Sequence, residues 1–245
     1  NHHPDPTIAK NMEALSKSVV DNKYELGIGL DGDADRIGVV DEQGKMLFGD
    51  QILNILARDY LQKNPGKKII ADVKCSMNLF NDIKKYGGEP IMYKTGHANI
   101  KMFMKEMGVE FAGEMSGHIF LADRYLGFDD AIYVSCRFVE IVSQTHKPVS
   151  TFLADQPKLY NTPELHTNCP DEKKFEVVAK VCEEFKKEGY DVNDIDGARI
   201  TFPDGWGLIR ASNTTPVIVT RYEALTETRM NEIKNLIEAK INKYL

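Results

Sequence analysis

The chain has 245 residues, with 31 Lys and Arg against 37 Asp and Glu, for a formal charge of −6 at neutral pH. At roughly 100–200 residues per domain, this is one large domain or two ordinary ones, and 42% hydrophobic with 28% charged residues is globular composition rather than disorder. The most apolar stretch, 131–142, is interrupted by Arg137 and Glu140, well short of the ~20 apolar residues of a membrane span, and a net acidic chain without Arg-rich tracts is not expected to bind nucleic acid.

Pro6 and Thr7, followed by Ile8, Met12, Leu15 and Val19 on one face, predict a first helix. Residues 26–30 and 36–40 read as short strands around a five-residue acidic loop, and Glu42-Gln43-Gly44-Lys45 as a turn. Ile52, Leu53, Leu56 and Tyr60 share the next helical face, which Asn64-Pro65-Gly66 ends. Strands at 69–73, 90–93, 109–112 and 118–121 then alternate with helices at 77–86, 100–107 and 131–143. That alternation predicts an α/β fold, an α/β/α sandwich with a mixed, largely parallel sheet. The Pro-rich, weakly periodic stretch 147–170 places a linker near 155–160. Beyond it, a helix at 173–187, strands at 198–202, 206–209 and 217–222, and a helix at 226–243 predict a small α+β domain. The expected organisation is a remnant at 1–45, an α/β domain at 46–156 and an α+β domain at 157–245. Cys75, Cys136, Cys169 and Cys182 have no metal-binding spacing. Reduced thiols and a cytoplasmic location are expected.

Three loops carry chemistry. In Asp31-Gly32-Asp33-Ala34-Asp35-Arg36, carboxylates at alternate positions can converge on one hard cation, and oxygen-only ligation suits Mg²⁺ or Mn²⁺. An EF-hand is excluded because Arg36 stands where that loop needs glycine. A haloacid-dehalogenase-like phosphatase, with Asp31 as nucleophile and Phe128-Asp129-Asp130 as its late acidic motif, is the alternative, although Asp35 replaces the Thr or Val expected there. The loop Gly113-Glu114-Met115-Ser116-Gly117-His118 offers acceptors and donors suited to a polyol, with glycines that admit a ligand close to the backbone. In Arg210-Ala211-Ser212-Asn213-Thr214-Thr215-Pro216, a guanidinium stands beside hydroxyl, amide and backbone donors, a set suited to a phosphate, without the GK[ST] of a Walker A loop. Lys74 and His97 follow predicted strands, where α/β ligand sites cluster.

In this order the three loops resemble the α-D-phosphohexomutase superfamily, most closely its bacterial phosphomannomutase/phosphoglucomutase branch, and the resemblance runs from the Asn-His-His-Pro-Asp-Pro opening to the last helix. It implies that Asp31, Asp33 and Asp35 hold Mg²⁺. It further implies that Glu114, Ser116 and His118 grip the sugar, that Arg210, Ser212, Asn213 and Thr214 bind the non-reacting phosphate, and that Lys74, His97 and Arg36 line the same cleft. The family's catalytic phosphoserine lies in a Ser-His-Asn-Pro context that no serine of this sequence shares. The resemblance therefore implies the end of domain two, then domains three and four, with the amino-terminal domains as missing partners. The implied activity interconverts hexose 1- and 6-phosphates of mannose or glucose through a phosphoserine and a bisphosphosugar. His118, then His97, are the expected acid–base residues, with Lys74 and Arg36 stabilising charge. This chain by itself is expected to be inactive. The competing reading is a stand-alone phosphosugar-binding module.

Overall fold

The computed structural model describes residues 3–245; of the opening that carries part of the resemblance, Asn1 and His2 lie outside them. The chain falls into two compact units, Asn1–Gln156 and Pro157–Leu245. No helix among the described residues is long and apolar enough to cross a membrane.

The first unit opens with helix α1 (Ala9–Asn22), which lays Met12 and Val19 against an antiparallel sheet of β1 (Leu26–Leu30), β2 (Ile37–Asp41) and β3 (Met46–Leu47). The acidic loop therefore joins two antiparallel strands, Leu30 facing Ile37, and is a hairpin loop rather than a strand-to-helix turn. β3 was not foreseen; two residues are too few to show a period.

A second sheet has the order β5 (Glu89–Tyr93), β4 (Lys68–Asp72), β6 (Phe111–Gly113), β7 (Ile119–Leu121), parallel except for the final β6–β7 hairpin. Side chains alternate between its faces, as a pleated strand requires. Ile69, Ala71, Phe111, Ile119 and Leu121 join the core formed with helices α2 (Gly49–Lys63), α3 (Met77–Lys85) and α5 (Ala131–Thr145). Ile70, Ala112 and Phe120 face the other way, onto Ile100 and Met104 of α4 (His97–Met107). With both faces covered, the sheet is an α/β/α sandwich, as expected. The expected strand 109–112 is displaced: Val109 and Glu110 precede β6.

The end of this unit is anchored by Arg58 on α2. Its guanidinium pairs with Asp82 of α3, donates to the Phe152 carbonyl at 2.7 Å and meets Asp155 at 2.8 Å. Its side chain is 12% exposed and that of Asp82 8%.

In the second unit, β10 (Asp191–Asn193), β11 (Ala198–Phe202), β12 (Gly205–Ala211), β13 (Val217–Ala224) and β8 (Tyr160–Asn161) form an antiparallel sheet, with β9 (Leu165–Asn168) also on β13. Helices α6 (Asp171–Lys187) and α7 (Glu227–Asn242) bury Val177, Val181, Phe185, Ile233 and Ile237 against Ile200, Ile209, Ile218 and Tyr222. β8 and β9 lie where a featureless Pro-rich stretch was expected. β12 runs two residues past the expected 206–209, so Arg210 and Ala211 belong to a strand and not to the loop after it.

Arg58→Met leaves Asp82 almost without solvent and short of its main cationic partner. Losing one member of such a pair costs about 3–5 kcal/mol. Urea unfolding should show a loss of that size for Arg58→Met, against less than about 1 kcal/mol for removal of the exposed Lys17–Asp21 pair.

Candidate active site

In the first unit, two loops far apart in sequence are joined by their backbones. The Ile37 amide donates to the Gly117 carbonyl at 3.2 Å, and the Ala131 amide, at the start of α5, donates to the Ala34 carbonyl at 2.9 Å. Gly117 has φ +94°, and a Cβ there would lie 2.7 Å from the Ile37 carbonyl oxygen. Gly49 lets α2 begin against the same loop; a Cβ would come within 2.5 Å of the Met115 carbonyl oxygen. No side chain fits either place without displacing backbone.

Asp31 organises the acidic loop from inside. Its Oδ1 accepts from the amides of Asp35 at 3.0 Å and Arg36 at 3.1 Å, and its Oδ2 lies 3.3 Å from Arg36 Nε. Its side chain is 6% exposed. Oxygens of Asp31, Asp33 and Asp35 come within 4.8 Å of one another. Burial first, then hydrogen bonding and repulsion from Asp31 and repulsion from Asp33 and Asp129, push the Asp35 carboxyl up to about 6. A carboxylate made reluctant to ionise by its neighbours is what a cation would relieve. An all-oxygen donor set of this kind fits a hard divalent ion.

Behind this loop stands a second cluster that the sequence did not reveal as one. The Asp129 carboxylate, 6% exposed, receives Lys101 Nζ on Oδ1 at 2.8 Å, while Oδ2 lies 2.8 Å from His97 Nδ1 and 3.2 Å from His118 Nδ1. The imidazoles stack with centroids 5.1 Å apart, and His118 Nδ1 is 3.7 Å from Asp35 Oδ2. Burial alone would raise the Asp129 carboxyl, but hydrogen bonds from Lys101 and His97 outweigh it and hold the group below its usual range. His118 is pushed down by burial and by the Arg36 guanidinium, against the pull of Asp129. It is therefore held toward the neutral form, in which one ring nitrogen can accept a proton. The only sequence sign of Asp129 was the Phe128-Asp129-Asp130 run, read there for a different chemistry.

That phosphatase alternative is not supported. Asp31 Oδ1 is engaged by the amides of Asp35 and Arg36 and Oδ2 lies by the Arg36 guanidinium, and Asp130 accepts from Tyr133 N as the cap of α5.

Glu114 lies in the tight β6–β7 turn, where its amide donates to the His118 carbonyl at 2.8 Å and the Gly117 amide donates to the Glu114 carbonyl at 3.1 Å. Its side chain accepts from the Gly96 amide at 2.6 Å, and the residue is 2% exposed. Burial and then repulsion from Asp72 push its carboxyl up to about 7, against help from Gly96, Lys74 and His97. Ser116 is half-buried in the same turn. Lys74 is buried just after β4, where its amide donates to Asp72.

In the second unit, Arg210 on β12 pairs with Asp196, its Nε 3.2 Å from Oδ2. Ser212 is buried and its Oγ accepts from the amides of Thr214 at 3.3 Å and Thr215 at 3.2 Å, while Lys174 of α6 donates to the Thr215 carbonyl at 3.0 Å. The Ser212 hydroxyl thus shapes the turn from within. Asn213 and Thr214 are exposed at its tip.

Family models described as phosphoglucomutase/phosphomannomutase match residues 1–44 (alpha/beta/alpha domain II), 48–160 (alpha/beta/alpha domain III) and 164–240 (C-terminal domain). The chain belongs to the phosphoglucomutase/phosphomannomutase family. It is 42% identical over 236 residues to the phosphomannomutase/phosphoglucomutase of Pseudomonas aeruginosa, covering 96% of this chain and 51% of that protein. It is 44% identical over 243 residues to the phosphoglucomutase of Neisseria meningitidis serogroup A, covering 98% and 53%. The crystal structure of a phosphoglucomutase/phosphomannomutase family protein from Burkholderia thailandensis superimposes with a TM-score of 0.92 at 38% identity, covering 100% of this chain and 52% of that one. The chain spans about half the length of the curated relatives it matches.

Glu114 gives a pH test with a definite sign. Its folded-state value of about 7 stands above the ordinary 4.5, so folding takes up a proton between those limits. Its contribution to stability is complete below 4.5 and is lost as pH rises through about 7. Glutamine cannot ionise. Relative to Glu114→Gln, the parent should lose about 3 kcal/mol across that window, at 1.36 kcal/mol per pH unit. Denaturant unfolding of both proteins at several pH values reads this out. A difference that stays flat would contradict the assignment.

Proposed function

We propose that this chain is the part of a phosphohexomutase that carries its metal loop, sugar loop and phosphate loop, acting on hexose 1- and 6-phosphates of mannose or glucose. The observation that carries the proposal is the backbone-tied pair of loops in the first unit. A cation-competent acidic loop and a Glu-Met-Ser-Gly-His turn meet at a histidine held toward neutrality. In this reading, residues 1–45 end the second domain, 46–156 form the third and 157–245 the fourth.

Asp31, Asp33 and Asp35 are the residues to hold Mg²⁺. When bound, the ion offsets charge on a transferring phosphoryl group. The Asp129 carboxylate faces His118 Nδ1 at 3.2 Å, leaving Nε2 to take the proton of the attacking sugar hydroxyl and to return one later. His97 shares that carboxylate and is the second acid–base candidate. Arg36 and Lys74 stabilise developing charge. Glu114 and Ser116 offer acceptors and a donor to sugar hydroxyls, and Arg210, with Ser212 shaping the turn and Asn213 and Thr214 at its tip, takes the phosphate that does not react. The sequence contains no Ser-His-Asn-Pro, so no phosphoryl acceptor of that kind is supplied by these residues.

Calorimetry tests the reading on the chain itself. Glucose 1-phosphate and glucose 6-phosphate should both bind, and Arg210→Ala should weaken both about tenfold, the equivalent of one charge-assisted hydrogen bond. Ser116→Ala should weaken the sugar phosphates while leaving inorganic phosphate unchanged. The purified chain should show no mutase turnover. Absence of heat at millimolar ligand, or turnover by the chain alone, would overturn the proposal.

A further inference from the structure

We infer that Asp35, His97, His118 and Asp129 form a second cation site, one that takes a borderline transition-metal ion such as Zn²⁺ through two imidazole nitrogens and two carboxylate oxygens. One ligand atom from each residue lies within 4.8 Å of all the others. The individual separations are 2.8 Å from Asp129 to His97, 3.2 Å from Asp129 to His118 and 3.7 Å from His118 to Asp35. Ligands at about 2.0–2.2 Å around a tetrahedral ion stand roughly 3.3 Å from each other. The separations of 2.8, 3.2 and 3.7 Å bracket that spacing.

Two further features point to a ligand. The side chain of His118 is 9% exposed, and its Nδ1 is buried and makes no hydrogen bond although it faces two carboxylates. A buried ring nitrogen in that condition has its polar need unmet. Asp129 is also arranged as a metal-binding carboxylate is, with Oδ1 fixed by Lys101 while Oδ2 remains aimed at both imidazoles. Lys101 and Arg36, the latter 3.8 Å from Asp35 Oδ1, offset the two acidic charges. Selectivity then comes from donor type more than from net charge.

That donor type separates the site from the acidic loop beside it. Imidazole nitrogen suits zinc, nickel and copper, whereas Mg²⁺ prefers oxygen alone. Asp35 belongs to both sets, so an ion held by the histidines draws on a carboxylate of the hard-cation loop. It also occupies the ring nitrogens that face Asp129. The inference concerns binding and does not rest on the mutase reading.

The test is calorimetric titration of the chain with Zn²⁺. His97→Gln and His118→Gln each keep a polar atom near the far ring nitrogen and lack one at the position of Nδ1. Each should weaken Zn²⁺ at least ~10-fold, the low end of the loss from disturbing even an indirect ligand partner. Asp33→Asn, in the acidic loop but outside this cluster, should change it less than ~3-fold. Zn²⁺ binding that survives both glutamine variants and fails in Asp33→Asn overturns the inference, as does absence of binding. Should His118→Gln fail to fold, long-range ¹H–¹⁵N NMR of the parent decides: Zn²⁺ should shift Nδ1 of His97 and His118, and unmoved Nδ1 resonances overturn it.

Discussion

Two backbone hydrogen bonds hold the candidate site together, Ile37 to Gly117 and Ala131 to Ala34. The acidic loop is only a few residues long, and it keeps Ala34 at φ +59°, a left-handed conformation that an alanine adopts at a penalty of about 1–2 kcal/mol. Such a loop does not keep its shape alone. Asp31 braces it from within by accepting the amides of Asp35 and Arg36, and the start of α5 fixes it from without. Because Gly117 has no Cβ, the β6–β7 turn can come close enough to take the Ile37 amide. Remove that approach and the acidic loop parts from the turn that carries Glu114 and His118.

Within this frame, one chemical group behaves in three ways, and burial, nearby charges and nearby donors decide which. Asp129 has Lys101 and His97 on its oxygens and stays ionised despite burial. Asp35 is crowded by Asp31, Asp33 and Asp129 and is driven up to about 6. Glu114 has a backbone amide as its hydrogen-bonded partner, faces Asp72, and is driven up to about 7. A carboxylate near neutrality can donate as well as accept, which suits a group meant for hydroxyls that change places. The site thus separates a permanent anion, a cation-seeking carboxylate and a switchable acid by burial, neighbouring charge and local hydrogen bonding together.

The regular elements were legible because their periods are strong. Met12 and Val19 mark α1, and Ile69-Ile70-Ala71 marks a strand buried on both faces. The pieces that were not legible are those whose reason lies elsewhere in the chain. β3 and β8 have two residues each and exist because β2 and β13 offer them unpaired edges. β9 contains a half-buried Leu165 and exposed polar residues, so nothing local distinguishes it from linker. Arg210 looked like a loop residue because Ser-Asn-Thr-Thr follows it, whereas strand pairing to Val219 carries β12 two residues further. Asp129 is the instructive omission at the site. The sequence shows an acid before a helix, and only folding brings His97, Lys101 and His118 onto it.

The acid cluster also bears on stability. Asp31, Asp33, Asp35 and Asp129 crowd one another and, with burial, drive Asp35 above its ordinary range, while burial and Asp72 do the same to Glu114. A chain selected for stability alone would replace several with amides or apolar residues, since uncompensated buried charge is unfavourable. A cation beside Asp35 or a ligand hydroxyl beside Glu114 would complete the balance. The contrast with Arg58 supports this. There the guanidinium meets Asp82 and Asp155 within the chain and anchors the end of the unit, whereas Asp35 finds its nearest basic groups, His118 and Arg36, only at 3.7 and 3.8 Å.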